Sequence, residues 1–109
     1  MAMTPEGKVK KEIDAVLNAY GDRVVWFKPA TGGYGRSGIS DYVGCLDGMF
    51  FSIEAKRAGE TPTTLQQRFM RSVSTAKGLA LLCDGTDYIG LVNSLNSLLA
   101  ENRRHGHDN

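Results

Sequence analysis

A chain of 109 residues, 41% of them hydrophobic, has room for one domain with a modest core and too little for two. Its formal charge of +1 neither demands nor excludes nucleic acid, so the placement of its thirteen basic residues must carry that question. No run approaches the roughly 18 apolar residues of a membrane-spanning helix, which argues against a membrane partner.

Met-Ala-Met-Thr at the start lacks a basic segment followed by an apolar one, as an export signal would need. Thr4 and Pro5 can cap and open a helix, and Val9, Ile13, Val16, Leu17 and Tyr20 recur at helical spacing until Gly21 stops it. "RVVWFK" reads as a strand, and a glycine-rich stretch follows it. "YVGCL" and "MFFSIEAK" are two further strands joined by Asp47-Gly48, the pair that a type I′ hairpin turn requires. From Pro62 to about Lys77, Leu65, Phe69, Met70 and Val73 predict an amphipathic helix closed by Gly78. "LALLC" is a short apolar strand, and "LVNSLNSLLAENRR" predicts one last helix. The order α-β-β-β-α-β-α predicts an α/β fold with a small mixed sheet flanked by helices, one domain over residues 1–104 and a polar tail over 105–109. Cys45 and Cys83 match no zinc or redox spacing, so reduced, partly buried thiols in a cytosolic protein are expected.

Within "GYGRSGISDYVG", Gly33, Gly35 and Gly38 have the G-x-G-x-x-G spacing of a dinucleotide-binding turn. That fingerprint works only where the glycines leave a strand and open a helix whose N-terminus holds the pyrophosphate. Here Ile39-Ser40-Asp41 and another strand follow, and Ile39 stands where a phosphate-binding loop would need lysine. No nucleotide cofactor is expected. The stretch reads either as a loop delivering the chain into Asp41 or as an ordinary solvated connection.

A two-residue turn at Asp47-Gly48 sets Leu46 opposite Met49 and, by the same count, Asp41 opposite Glu54. Like charges so placed are destabilising, their Cβ atoms lying about 4.5 to 5.5 Å apart. Lys56 shares their face, while Phe51, Ile53 and Ala55 occupy the other and can bury against a helix. Two explanations fit the cluster. Mg²⁺ or Mn²⁺ can bridge the carboxylates, keeping water and phosphate oxygens in its remaining positions. Alternatively the face is solvated and Lys56 pairs with one acid. Glu6 precedes Val9 and Ile13 on the apolar side of the first helix, and Gln66 lies between Leu65 and Phe69. Each reads as a further site residue or as an ordinary helix-edge residue, and Glu6 also suits the positive helix end.

"SGISDYVG" followed by "FFSIEAKRAGETPTTLQQRF" resembles the virus-type replication-repair nuclease (VRR-Nuc) family of the PD-(D/E)XK nuclease superfamily, over about residues 6–82. By that resemblance Asp41 matches the first metal-binding aspartate, Glu54 and Lys56 the E-x-K pair, Glu6 the glutamate of the opening helix, and Gln66 the glutamine three residues before an aromatic. The backbone carbonyl of Ala55 is expected to complete the metal site. Ser40 departs from the family pattern, which has proline there, and this puts loop rigidity in doubt more than chemistry.

The resemblance implies a PD-(D/E)XK core with an extra C-terminal helix and Mg²⁺- or Mn²⁺-dependent hydrolysis of DNA phosphodiesters. It further implies a homodimer acting on branched DNA such as four-way Holliday junctions, in repair or phage replication, in a bacterial or phage-infected cytosol. A non-catalytic nucleic-acid-binding module and an RNA-directed nuclease of the same fold are the alternatives. Lys8, Lys28, Arg36, Arg57 and Arg68, with Tyr34 and Ser40, are the candidate nucleic-acid contacts. Lys10, Lys11 and Arg71 read as solvated surface, Trp26, Phe27, Phe50 and Phe51 as core, and His105 and His107 as tail.

Overall fold

The computed structural model describes residues 3–30 and 37–103. Helix α1 (Pro5–Asn18) begins as its first residues dictate: the Thr4 hydroxyl accepts the Gly7 N–H at 3.0 Å, and Pro5 occupies the first turn, where a missing N–H costs nothing. A 3₁₀ turn over Gly21–Arg23 leads into strand β1 (Val24–Phe27). Strands β2 (Tyr42–Leu46) and β3 (Met49–Ala55) form the expected hairpin. Asp47 and Gly48 have φ of 50° and 87°, as a type I′ turn demands, and the register runs from Leu46 opposite Met49 to Tyr42 opposite Ile53.

Helix α2 (Thr64–Thr75) crosses over to strand β4 (Leu79–Cys83), which lies parallel to β3; the other pairings are antiparallel. The result is a small mixed sheet in the order β1-β2-β3-β4, with β1 and β4 at its edges. The left-handed residue that ends α2 is Lys77, at φ 73°, rather than the expected Gly78. Gly78 follows it and donates its N–H to the Val73 carbonyl at 2.9 Å, the long bond of a Schellman ending.

The single last helix expected from Leu91 to Arg104 is two shorter ones. Helix α3 (Tyr88–Asn96) starts earlier, because the Asp87 carboxylate accepts the Gly90 N–H at 2.7 Å and caps it. Helix α4 (Ala100–Arg103) restarts after a break, because the hairpin turn supplies its cap. Asp47 Oδ2 accepts the Ala100 N–H at 2.8 Å, and Arg103 donates to the Asp47 carbonyl at 2.8 Å. Arg23 bonds both Asp47 and Glu101 across the same junction, and it holds the Asp47 carboxyl down to about 2.

Alternation divides the sheet as expected. Tyr42, Leu46, Phe51, Ile53 and Ala55 face Val9, Ile13 and Leu17 of α1 together with Leu91 and Leu95 of α3. On the opposite face Val43 packs with Phe69 and Val73 of α2. Of the four aromatics expected in the core, Phe51 is fully buried and Trp26 is partly buried against the same cluster, its ring beside that of Tyr42, but Phe27 and Phe50 are 60% and 45% exposed. The reason is reach: α2 lies over β4 and β3 and does not extend across to the β1 side, where Val25 is 73% exposed. Cys83 is buried, whereas Cys45 is exposed on that open side. No helix among the described residues is long and apolar enough to cross a membrane.

Candidate functional site

The two acids that the hairpin register predicts to be neighbours do meet, at the end of the sheet. Asp41 stands one residue beyond the last β2 ladder pair. Its Oδ2 accepts the Ala55 N–H at 2.9 Å, taking the place of the next backbone rung. Ala55, expected to lend its carbonyl, is thus joined to Asp41 through its N–H.

Glu54, on β3, is 1% exposed. Its Oε2 is buried and has no hydrogen-bond partner among the described residues. Burial above all, then a hydrogen bond to Asp41 and the charge of Asp41, push the Glu54 carboxyl up to about 8; Lys56 pulls it down and Glu6 adds a further push upward. A proton held between two carboxyl groups is the state such a pair adopts when no cation is shared. Lys56, half-buried and two residues on, donates its backbone N–H to the Cys83 carbonyl at 3.0 Å, which fixes its position beside Glu54.

This donor set fits a small, hard divalent cation: all oxygen, two carboxyl groups side by side, and one desolvated oxygen without a partner among the described residues. Among the described residues no group of three or more His, Cys, Asp or Glu is arranged to hold an ion. Two carboxylates are enough for such an ion, whose other positions water and phosphate oxygens can fill.

Glu6, in the first turn of α1, reaches the pair through an intermediary. Lys10 Nζ lies 3.3 Å from Glu6 Oε2 and 3.7 Å from Asp41 Oδ1. Lys10 therefore corrects its reading as plain solvated surface; the signal in the sequence is the helical Glu6–Lys10 spacing of four. The turn of α1 that carries Lys10 is held to the sheet by Tyr42. The Tyr42 hydroxyl lies 2.9 Å from the Lys10 carbonyl oxygen and 2.6 Å from Asp14 Oδ1. Burial, with Asp14 second, holds that phenol well above its ordinary pKa. Lys28 pairs with Asp14 at 3.1 Å and sits 5.3 Å from the centre of the Tyr42 ring.

Gln66 is engaged elsewhere. Its Oε1 accepts the Thr63 N–H at 2.8 Å and the Thr63 hydroxyl accepts the Gln66 N–H at 3.2 Å, a reciprocal cap that opens α2. The contact this shows for Gln66 is with Thr63 rather than Lys56; the Thr-x-x-Gln spacing is its legible sign. Ser40, expected at the nucleic-acid surface, is corrected: it is 1% exposed and its hydroxyl is buried, because the chain turns inward there to deliver Asp41. Lys8 and Arg68 are exposed, Arg57 is exposed and pairs with Glu60 at 3.2 Å, and Lys28 is partly committed to Asp14. Tyr34, Arg36, His105 and His107 lie outside the described residues, as do Gly33 and Gly35.

Gly38, the last glycine of the apparent fingerprint, has φ of 80°, and a Cβ there would lie 2.6 Å from the Leu65 backbone. It serves close packing of the loop on the first turn of α2. Comparison with family models, curated proteins and solved structures found no match to this chain.

Proposed function

We propose that the chain is a Mg²⁺- or Mn²⁺-dependent DNA endonuclease of the VRR-Nuc type, built on a PD-(D/E)XK core and acting as a homodimer on branched DNA such as Holliday junctions. The observation that carries this reading is the meeting of Asp41 and Glu54, with one Glu54 oxygen buried and without a partner among the described residues and Lys56 beside it. Nothing in the packing of the sheet requires two acids there, and as neighbours without a cation they oppose each other's ionisation.

In this function Asp41 and Glu54 hold the ion. When bound, the ion supplies polarisation of the scissile phosphate and offsets charge developing on its oxygens. Lys56 orients the attacking water and places a positive charge beside the reacting phosphate. Glu6 shapes the field at the edge of the site through Lys10, and Lys8, Arg57 and Arg68 offer exposed cations to the DNA backbone.

Labelled junctions, flaps, duplexes and single strands, offered with Mg²⁺ or Mn²⁺ to the native protein and to Glu54→Gln, test the proposal. Cleavage of branched DNA that needs both metal and Glu54 is the expected result. Metal-independent cleavage, or no cleavage of any substrate, overturns it, and preference for matched RNA would redirect it to an RNA-directed nuclease.

A second reading, a non-catalytic nucleic-acid-binding module, draws on the two-carboxylate donor set and the ammonium already resting on Asp41. Junction binding that persists unchanged in Glu54→Gln, with no cleavage by either protein, would favour it.

A further inference from the structure

We propose that Lys10 is a built-in counter-ion of the acidic site, a positioning residue that holds Asp41 while no divalent ion is bound and so sets how tightly the site takes one. This rests on the metal-site reading above and assigns a regulator to it.

Three observations carry the inference. The Lys10 ammonium lies between two acids, 3.3 Å from Glu6 and 3.7 Å from Asp41, with about two thirds of its side chain withdrawn from solvent. Its backbone is anchored, since the Lys10 carbonyl takes a 2.9 Å contact from the buried Tyr42 hydroxyl, on the residue next to Asp41. The direction of its reach is therefore set by the same strand that delivers the carboxylate. Finally, the ammonium meets Asp41, the outer acid of the pair, while Glu54 behind it is 1% exposed and, among the described residues, has one buried oxygen without a hydrogen-bond partner.

A monovalent charge at the rim offsets the repulsion only in part. For an ion to bridge Asp41 and Glu54, the Lys10–Asp41 contact must loosen, and Glu6 is already in place to keep the ammonium. The exchange costs affinity, because the ammonium and the incoming ion repel each other across a few ångströms. In return, Asp41 keeps a counter-ion in the metal-free protein.

The experiment is Mn²⁺ titration by calorimetry, without DNA, on the native protein, Lys10→Met, Lys10→Arg and Asp41→Asn, with folding checked by circular dichroism. Methionine keeps the helix propensity and the aliphatic stem while removing the charge. Lys10→Met is expected to bind Mn²⁺ roughly three- to tenfold more tightly than the native protein. Lys10→Arg should stay close to native, and Asp41→Asn should lose binding. In EDTA, Lys10→Met should melt below the native protein and then gain more from added Mn²⁺. Equal affinity of Lys10→Met and the native protein, with Asp41→Asn impaired, overturns the role of Lys10 and leaves the metal site standing. Absence of Mn²⁺ binding in native and Lys10→Met alike overturns both.

Discussion

Glu54 places an acid where the fold would be more stable without one. Its carboxyl holds a proton up to about 8 in the fold, while an unfolded glutamate releases it near pH 4.3. The folded state thus binds more protons between those values, so the metal-free protein loses stability as pH rises from about 4.5 to 8. Melting in EDTA should show a lower transition at pH 8.5 than at pH 6. Glu54→Gln should flatten that slope and raise the transition at pH 8.5 by roughly 5 °C, while abolishing metal-dependent cleavage. An unchanged slope in the variant would contradict the assignment. Lys56→Ala separates chemistry from metal binding: Mn²⁺ affinity should stay near native while kcat falls on the order of a hundredfold. Undiminished turnover would remove Lys56 from the mechanism. Of these residues, Asp41, Glu54 and Lys56 were legible because a two-residue turn fixes cross-strand neighbours by counting. Lys10 was not, since its partner Asp41 belongs to another element and only the Glu6 half of its contact is local.

Among the elements, the hairpin of β2 and β3 was the most readable, its Asp-Gly turn specifying both twist and register. The end of the chain was the least. An unbroken apolar pattern predicts one helix there, yet Asp47, more than fifty residues upstream, caps a second one. Such a distant hydrogen bond leaves no periodic trace. Gln66 shows the same limit in reverse: a local cap claims its side-chain oxygen, where family resemblance had reserved it for the site. The loop entering Asp41 depends on Gly38, whose position against Leu65 admits no side chain. Gly38→Ala should cost about 1–3 kcal/mol, by crowding at a left-handed backbone position. Proteolysis should then cut near this loop faster than in the native protein, and native-like resistance would show that the contact is dispensable.

At the scale of the whole molecule, the mixed sheet and its helices follow from pattern alone, because α2 between β3 and β4 forces their parallel pairing. What pattern could not give is coverage. Alternation marks Val25 and Phe27 as facing away from α1, yet it does not say that α2 stops short of them. In the proposed homodimer, Val25, Phe27, Cys45 and Phe50 form an apolar strip beside the edge strand β1 that a second copy can cover. Light scattering at micromolar concentration should give a dimer for the native protein and a monomer for Phe27→Lys; a native monomer would refute the dimer.

The position of β1 at the rim of the sheet also bears on handling, wherever a second copy does not cover it. A strand at the rim of a sheet, next to a greasy stripe, is a template for strand-upon-strand stacking. Stocks kept concentrated should slowly turn hazy, and a lysine at position 27, by gatekeeping that rim, should keep them clear for longer even as it breaks the dimer apart.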